Sequence, residues 1–170
     1  MPLADTLLRL AGGRRLYLPK WTDQIMDEVN RNLAGNLGLT GEQVAYRESE
    51  IRRHFPEARV EGHEDLMSAM TNHPKDRHVL AAAVRCNAHV IVTHNLKDFP
   101  RTALEPYSTT AMGPSTFLRN LYDLDPEFVA KTLERQAAAI NRPIEYVLDR
   151  LSINAPGFVG FFKTLGPKKP

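Results

Sequence analysis

The stretch "DRHVLAAAVRCNAHVIVTHNLKDFP", residues 76–100, places one acid at the head of an alanine-rich run and a second, Asp98, after a short apolar run. Pro74 suits the first turn of a helix, which extends to about Arg85, before the turn residues Cys86-Asn87. HVIVT (89–93) is apolar on consecutive positions, not alternating. That pattern suits a strand covered on both faces, as in a parallel sheet flanked by helices. In open parallel sheets ligands bind beyond the carboxyl ends of the strands, and the loop THNLKD (93–98) leaves that end. Asp76 can face the same edge. Two carboxylates with the amide oxygen of Asn95 form a hard-oxygen set suited to magnesium or manganese. Taken singly, an acid in the first turn of a helix answers the helix dipole, and an acid in a loop is commonplace. Both readings stand at this point.

Outward from this stretch the chain alternates strand and helix signals as far as about residue 112. Asp5 reads as the cap of a short helix ended by Gly12-Gly13, and LYLP (16–19) as a short strand closed by Pro19. Thr22 is a natural N-cap for a helix to about Leu33, with Ile25, Val29 and Leu33 on a buried stripe. Thr40 caps a more polar helix to His54. ARVEG (58–62) is a weak strand candidate, HEDLMSAM (63–70) a short helix, and PYSTTA (106–111) a further short strand. After Pro114 the patterns are helical to the end, in STFLRNLYDL, PEFVAKTLERQAAAI, IEYVLDRLSI and GFVGFFKTL. The expected fold is α/β: a small parallel sheet with helices on both faces over 1–112, and an all-helical extension over 113–170.

Composition narrows the function classes. A chain of 170 residues, 42% hydrophobic and 25% charged, supports one real core and a small appendage. A net charge of +2 marks no nucleic-acid surface by itself, and the pairs Arg14-Arg15, Arg52-Arg53 and Lys168-Lys169 read as solvated surface. Only the closing GPKKP suggests disorder. One cysteine, Cys86, permits no intrachain disulfide, and no apolar run is long enough for a membrane span, so a soluble, cytoplasmic protein without a membrane role is expected. His73, His78, His89 and His94 lie close in sequence, but His73 and His78 are five apart and poorly placed to share one helical face. Without a second cysteine the usual zinc spacings are absent. No nucleophile elbow of the GxSxG type supports a serine triad.

The residues resemble a known family. "KDRHVLAAAVRCNAHVIVTHNLKDFP" (75–100) is similar to the third-acid helix, fourth strand and following loop of PIN-domain ribonucleases, in the bacterial VapC-like branch with a C-terminal helical extension. "LYLPKWTDQIMDEVNRNL" (16–33) resembles that branch's second strand and second-acid helix, and "GPSTFLRNLYDLDPEFVAKTLERQAAAINRP" (113–143) resembles its extension. The resemblance implies a ribonuclease using Mg2+ or Mn2+, the toxin of a toxin–antitoxin pair. It also implies RNA as substrate and a cognate antitoxin that blocks the acidic site. It puts the second acid on Glu28, the third on Asp76, and the fourth on Asp98 or at the Asn95 position. With Asp98 as the acid, Asn95 would orient a water or a phosphate, beside the strand-end hydroxyl of Thr93. Lys75, Arg77 and Lys97 are candidates to hold the RNA backbone, and equally read as solvated surface.

One departure from the family bears on activity. PIN domains begin with a central strand ending in the first acid, whereas MPLADTLLRLA (1–11) resembles the segment after that strand. Asp5 reads as a helix cap in preference to a substitute ligand. Without that strand, sheet edges would invite association, with a second copy among the candidates. A truncated start is the favoured explanation, over a strand supplied by another chain or a sheet closed up without it. Weak or no nuclease activity of the chain alone is the expectation. The alternative function is a catalytically inactive PIN fold serving as a binding or regulatory protein.

Overall fold

The computed structural model describes residues 2–165. The GPKKP tail and its Lys168-Lys169 pair lie outside the described residues.

The chain forms helices α1 (Pro2–Gly12), α2 (Asp23–Leu37), α3 (Gly41–His54) and α4 (Arg77–Arg85), then strand β1 (Val90–Val92). The short helix α5 (Arg101–Leu104) and strand β2 (Thr110–Met112) follow. Helices α6 (Pro114–Leu124), α7 (Pro126–Ala139), α8 (Ile144–Ser152) and α9 (Pro156–Leu165) complete the described residues. β1 and β2 pair side by side, through the Thr110 amide to the His89 carbonyl and the Thr93 amide to the Met112 carbonyl. The result is an α/β fold in which helix dominates and the sheet is two strands among the described residues. None of the described helices is long and apolar enough to cross a membrane.

Local chemistry explains the helix ends. Thr22 caps α2, its hydroxyl accepting from the Ile25 amide at 3.1 Å. Thr40 and Gln43 form a reciprocal capping box on α3. Four expectations are corrected. Asp5 does not cap α1, because the helix already starts at Pro2, a residue whose fixed φ suits a first turn. Asp5 instead meets Arg9 one turn on, at 2.9 Å. LYLP is not a strand. Arg15 turns the backbone into the left-handed region (φ 53°), and the Tyr17 hydroxyl donates to the Leu7 carbonyl at 2.8 Å. The later strand is displaced to Thr110–Met112, because Pro106 sits in a 3-10 turn (Glu105–Tyr107) and Ser108 has φ 52°. ARVEG contributes only one bridging residue, Arg59, paired with Trp21.

The chain divides into two compact units. Among the described residues the helical unit comprises 2–18, 92–94 and 112–165. In it α1 packs on α7, and α6, α7, α8 and α9 pack on one another. Phe158, Leu118, Leu133 and Leu151 are wholly enclosed there. The second unit comprises Pro19–Ile91 and Asn95–Ala111. Its core joins Leu80, Ala81 and Ala83 of α4 to Ile91 of β1, Phe99, and Ala103 and Leu104 of α5.

Candidate metal centre

Asp76 closes a 3-10 turn, Pro74–Asp76, and stands at the N-cap of α4. Its side chain makes no capping hydrogen bond. The carboxylate is therefore not spent on the helix. Its backbone is held instead, the amide donating to the His73 carbonyl at 2.9 Å and the carbonyl accepting from buried Asn72 Nδ2 at 3.0 Å.

Asp98 closes a second 3-10 turn, Leu96–Asp98, just after β1. Its amide donates to the Asn95 carbonyl at 3.1 Å, and the Asn95 amide group donates to its carboxylate. Phe99, the next residue, is 5% exposed in the core and anchors the turn. One main-chain bond, from the His73 amide to the Asp98 carbonyl at 3.1 Å, ties the two turns together. It brings acids 22 positions apart in sequence onto one site.

One ligand atom from each of His73, Asp76 and Asp98 lies within 4.8 Å of the other two. Crowding is visible in the acids' chemistry. The Asp76 carboxyl is raised above its ordinary pKa, first by burial, then by the hydrogen bond and charge of Asp98. His78 and His73 pull the other way. Two carboxyl groups with ligand atoms within 4.8 Å, and an imidazole beside them, are a donor set a divalent cation fits, because its charge relieves the repulsion.

The remaining expected residues are placed as follows. Glu28, on α2, is not in this three-residue cluster. Its Oε1 lies 3.3 Å from Nε2 of His78, a ring only 2% exposed on its side-chain surface. The contact has the distance of an ion pair without hydrogen-bond geometry, so Nε2 counts as buried and unpartnered. His78 thus stands near both Glu28 and Asp76. Thr93 is grouped with the helical unit, its amide donating to Met112 at 3.0 Å. Lys75 and Lys97 are exposed next to the acids in sequence. Arg77 is half-buried, with its Nε enclosed and lacking a hydrogen-bond partner.

His73 and His78 are what sequence reasoning missed. Judged against an α-helical face, His73 appeared misplaced. The signal was its separation of three from Asp76 across a proline-led 3-10 turn, where residues i and i+3 eclipse.

No family profile matches the chain, and no solved structure does. A protein of Mycobacterium tuberculosis (strain ATCC 25618 / H37Rv) named "Putative ribonuclease VapC50" is 47% identical over 109 residues, 62% of this chain and 64% of that protein. The likeness supports a VapC-like PIN-domain family. The chain spans under two thirds of that relative's length. Nearly half of the aligned positions are identical, so the VapC-like resemblance of the sequence has independent support.

Proposed function

We propose that this chain is a metal-dependent ribonuclease of the PIN type, the toxin of a toxin–antitoxin pair, with its chemistry at Asp76 and Asp98. The observation that carries the reading is the uncapped Asp76 carboxylate set against Asp98, with ligand atoms within 4.8 Å across two loops. The name of the VapC relative, a ribonuclease, supports it.

Asp76 and Asp98 would hold a magnesium or manganese ion, and Glu28, 3.3 Å from His78, would support it. When bound, such an ion supplies positive charge that acidifies water and screens the phosphate. The chain's own residues do the rest. Asn95 keeps the Asp98 carboxylate oriented through its amide and would help to orient a water or a phosphate. Lys75 and Lys97, exposed beside the two acids, hold the RNA backbone by charge. A cognate antitoxin would act by covering this acidic face. Cytoplasmic RNA is the expected substrate.

A second reading, an inactive PIN fold that binds without cutting, draws on one observation: Glu28 is engaged with His78 outside the close cluster. At most weak manganese-dependent cleavage of a mixed-sequence RNA by the chain, lost in Asp76→Asn and in Asp98→Asn, is the expected outcome. Cleavage that persists in both variants would remove the metal reading. Manganese binding that depends on both acids, without cleavage, would favour the binding fold.

A further inference from the structure

The imidazole of His73 is the chemistry at this site that the acids alone do not use. We infer that His73 is a third ligand of the Asp76–Asp98 centre, giving a nitrogen–oxygen donor set that selects first-row transition ions over Mg2+. The inference rests on the metal-site reading above and deepens it.

Three features place His73 there. Its main chain is clamped by both acidic residues: the amide donates to the Asp98 carbonyl at 3.1 Å, and the carbonyl accepts from the Asp76 amide at 2.9 Å. The ring precedes Pro74 and heads a 3-10 turn, so it eclipses Asp76 three positions on. A ring nitrogen lies within 4.8 Å of a carboxylate oxygen of each acid.

The other nearby imidazole is enclosed. His78 is 2% exposed, and its Nε2, without hydrogen-bond geometry to any partner, lies 3.3 Å from Glu28. His73 is the one left facing the acid pair. Little has to break for it to bind an ion. Its Nδ1 accepts only a long contact, 3.4 Å, from the Lys75 amide. An ion at Nδ1 displaces that contact. An ion at Nε2 moves the ring proton to Nδ1 and gives up the same contact.

Selectivity follows from ligand type. Mg2+ prefers oxygen in a near-ideal octahedron and keeps several waters, so an imidazole contributes little to it. Transition ions gain from imidazole nitrogen, more strongly along the series from Mn2+ to Co2+ and Ni2+. The competing account makes His73 an exposed neighbour that balances the acids' charge and touches no ion.

The full chain decides between them, titrated with Co2+ by visible absorption and with Mg2+ by calorimetry. The wild type should bind Co2+ more tightly than Mg2+. His73→Gln should weaken Co2+ by at least about tenfold, the lower end of what even outer-shell partners contribute, and alter the visible band. Its Mg2+ affinity should stay unchanged. An Asp76→Asn, Asp98→Asn double variant should lose both ions. If His73→Gln binds Co2+ as the wild type does, with the same spectrum, while the double variant binds neither, the His73 inference fails and the metal-site reading stands. No Co2+ binding by the wild type, or binding that survives the double variant, overturns both. Thermal melts check that each variant folds. Should His73→Gln not fold, pulsed EPR of the Mn2+-loaded wild type decides: nitrogen modulation is expected, and its absence overturns the inference.

Discussion

Inside the helical unit, the enclosed Thr6 hydroxyl donates to Gln136 Oε1 at 2.7 Å, and Gln136 Nε2 donates to the Pro2 carbonyl at 3.2 Å. In the unit that carries the acids, Trp21 Nε1, both nitrogens of His63, Asn72 Oδ1 and His78 Nε2 are buried without a hydrogen-bond partner. No such side-chain atom occurs in the helical unit among the described residues. An unmade buried hydrogen bond costs about 1–3 kcal/mol, so one unit has optimised its interior and the other carries a standing penalty. Proteins tend to break local rules of polar satisfaction where function demands it. Asn72 and His78, both at the rim of the acid cluster, fit that account. His63 Nδ1 lies 3.4 Å from Glu64 Oε2, and the Trp21 ring meets Phe55 edge to face.

The largest expected effect tests whether the helical unit is held by packing alone. Phe158 is 0% exposed, and its ring lies tilted against Phe162 with centroids 5.8 Å apart. Phe158→Ala should cost about 3–5 kcal/mol in urea unfolding, the range for emptying a buried aromatic site. Co2+ affinity of the folded chain should not change. Loss of ion binding well below the melting temperature would break the division between scaffold and site.

Next in size is a matched pair of polar removals. Gln136→Leu removes two hydrogen bonds, while the Thr6 hydroxyl keeps the Pro2 carbonyl at 2.8 Å, and should destabilise by about 1–2 kcal/mol. His63→Leu takes away a ring that is 4% exposed, with no hydrogen-bonded nitrogen and only a 3.4 Å approach to exposed Glu64, so it should be neutral or raise stability by up to about 1 kcal/mol. Equal losses in the two variants would show that the contrast in hydrogen bonding carries no energy.

The same contrast explains what could be read from sequence. The caps Thr22 and Thr40, and the helices they begin, were legible because a cap acts on the next three residues. Val90-Ile-Val92 was legible as a strand because two-sided burial demands consecutive apolar residues. The meeting of Asp76 and Asp98 followed from where a parallel strand ends. LYLP failed because a strand exists only if a neighbour pairs with it, which no local pattern encodes. The pairing of Glu28 with His78 spans 50 positions and leaves no periodic trace. His73 was missed for a different reason. Its spacing was tested against the period of an α-helix, while the turn that holds it has three residues per turn.

The smallest effects set two acids of the site-bearing unit against each other through pH. Asp23 is held at a pKa of about 2, first by hydrogen bonds from Arg59 and Arg52. A lowered carboxyl stabilises the fold above its unfolded value near 3.8, and that contribution is lost as pH falls toward 2. Its side chain is 50% exposed, so screening limits Asp23→Asn to about 0.5 kcal/mol at neutral pH, fading further in 1 M salt. Asp76 has the opposite sign. Its raised pKa means the folded state takes up the proton first, so the metal-free chain carries a penalty that builds as pH rises above 3.8. Asp98→Asn removes the like charge, and should make the metal-free chain more stable at pH 7 by under about 1 kcal/mol, with little gain at pH 3. Urea titrations at the two pH values measure both. If Asp98→Asn instead destabilises the metal-free chain at pH 7, the two carboxylates are not in conflict. The close approach of Asp76 and Asp98 would then be an ordinary pair of loop contacts, and the site-bearing unit would lose its clearest functional mark.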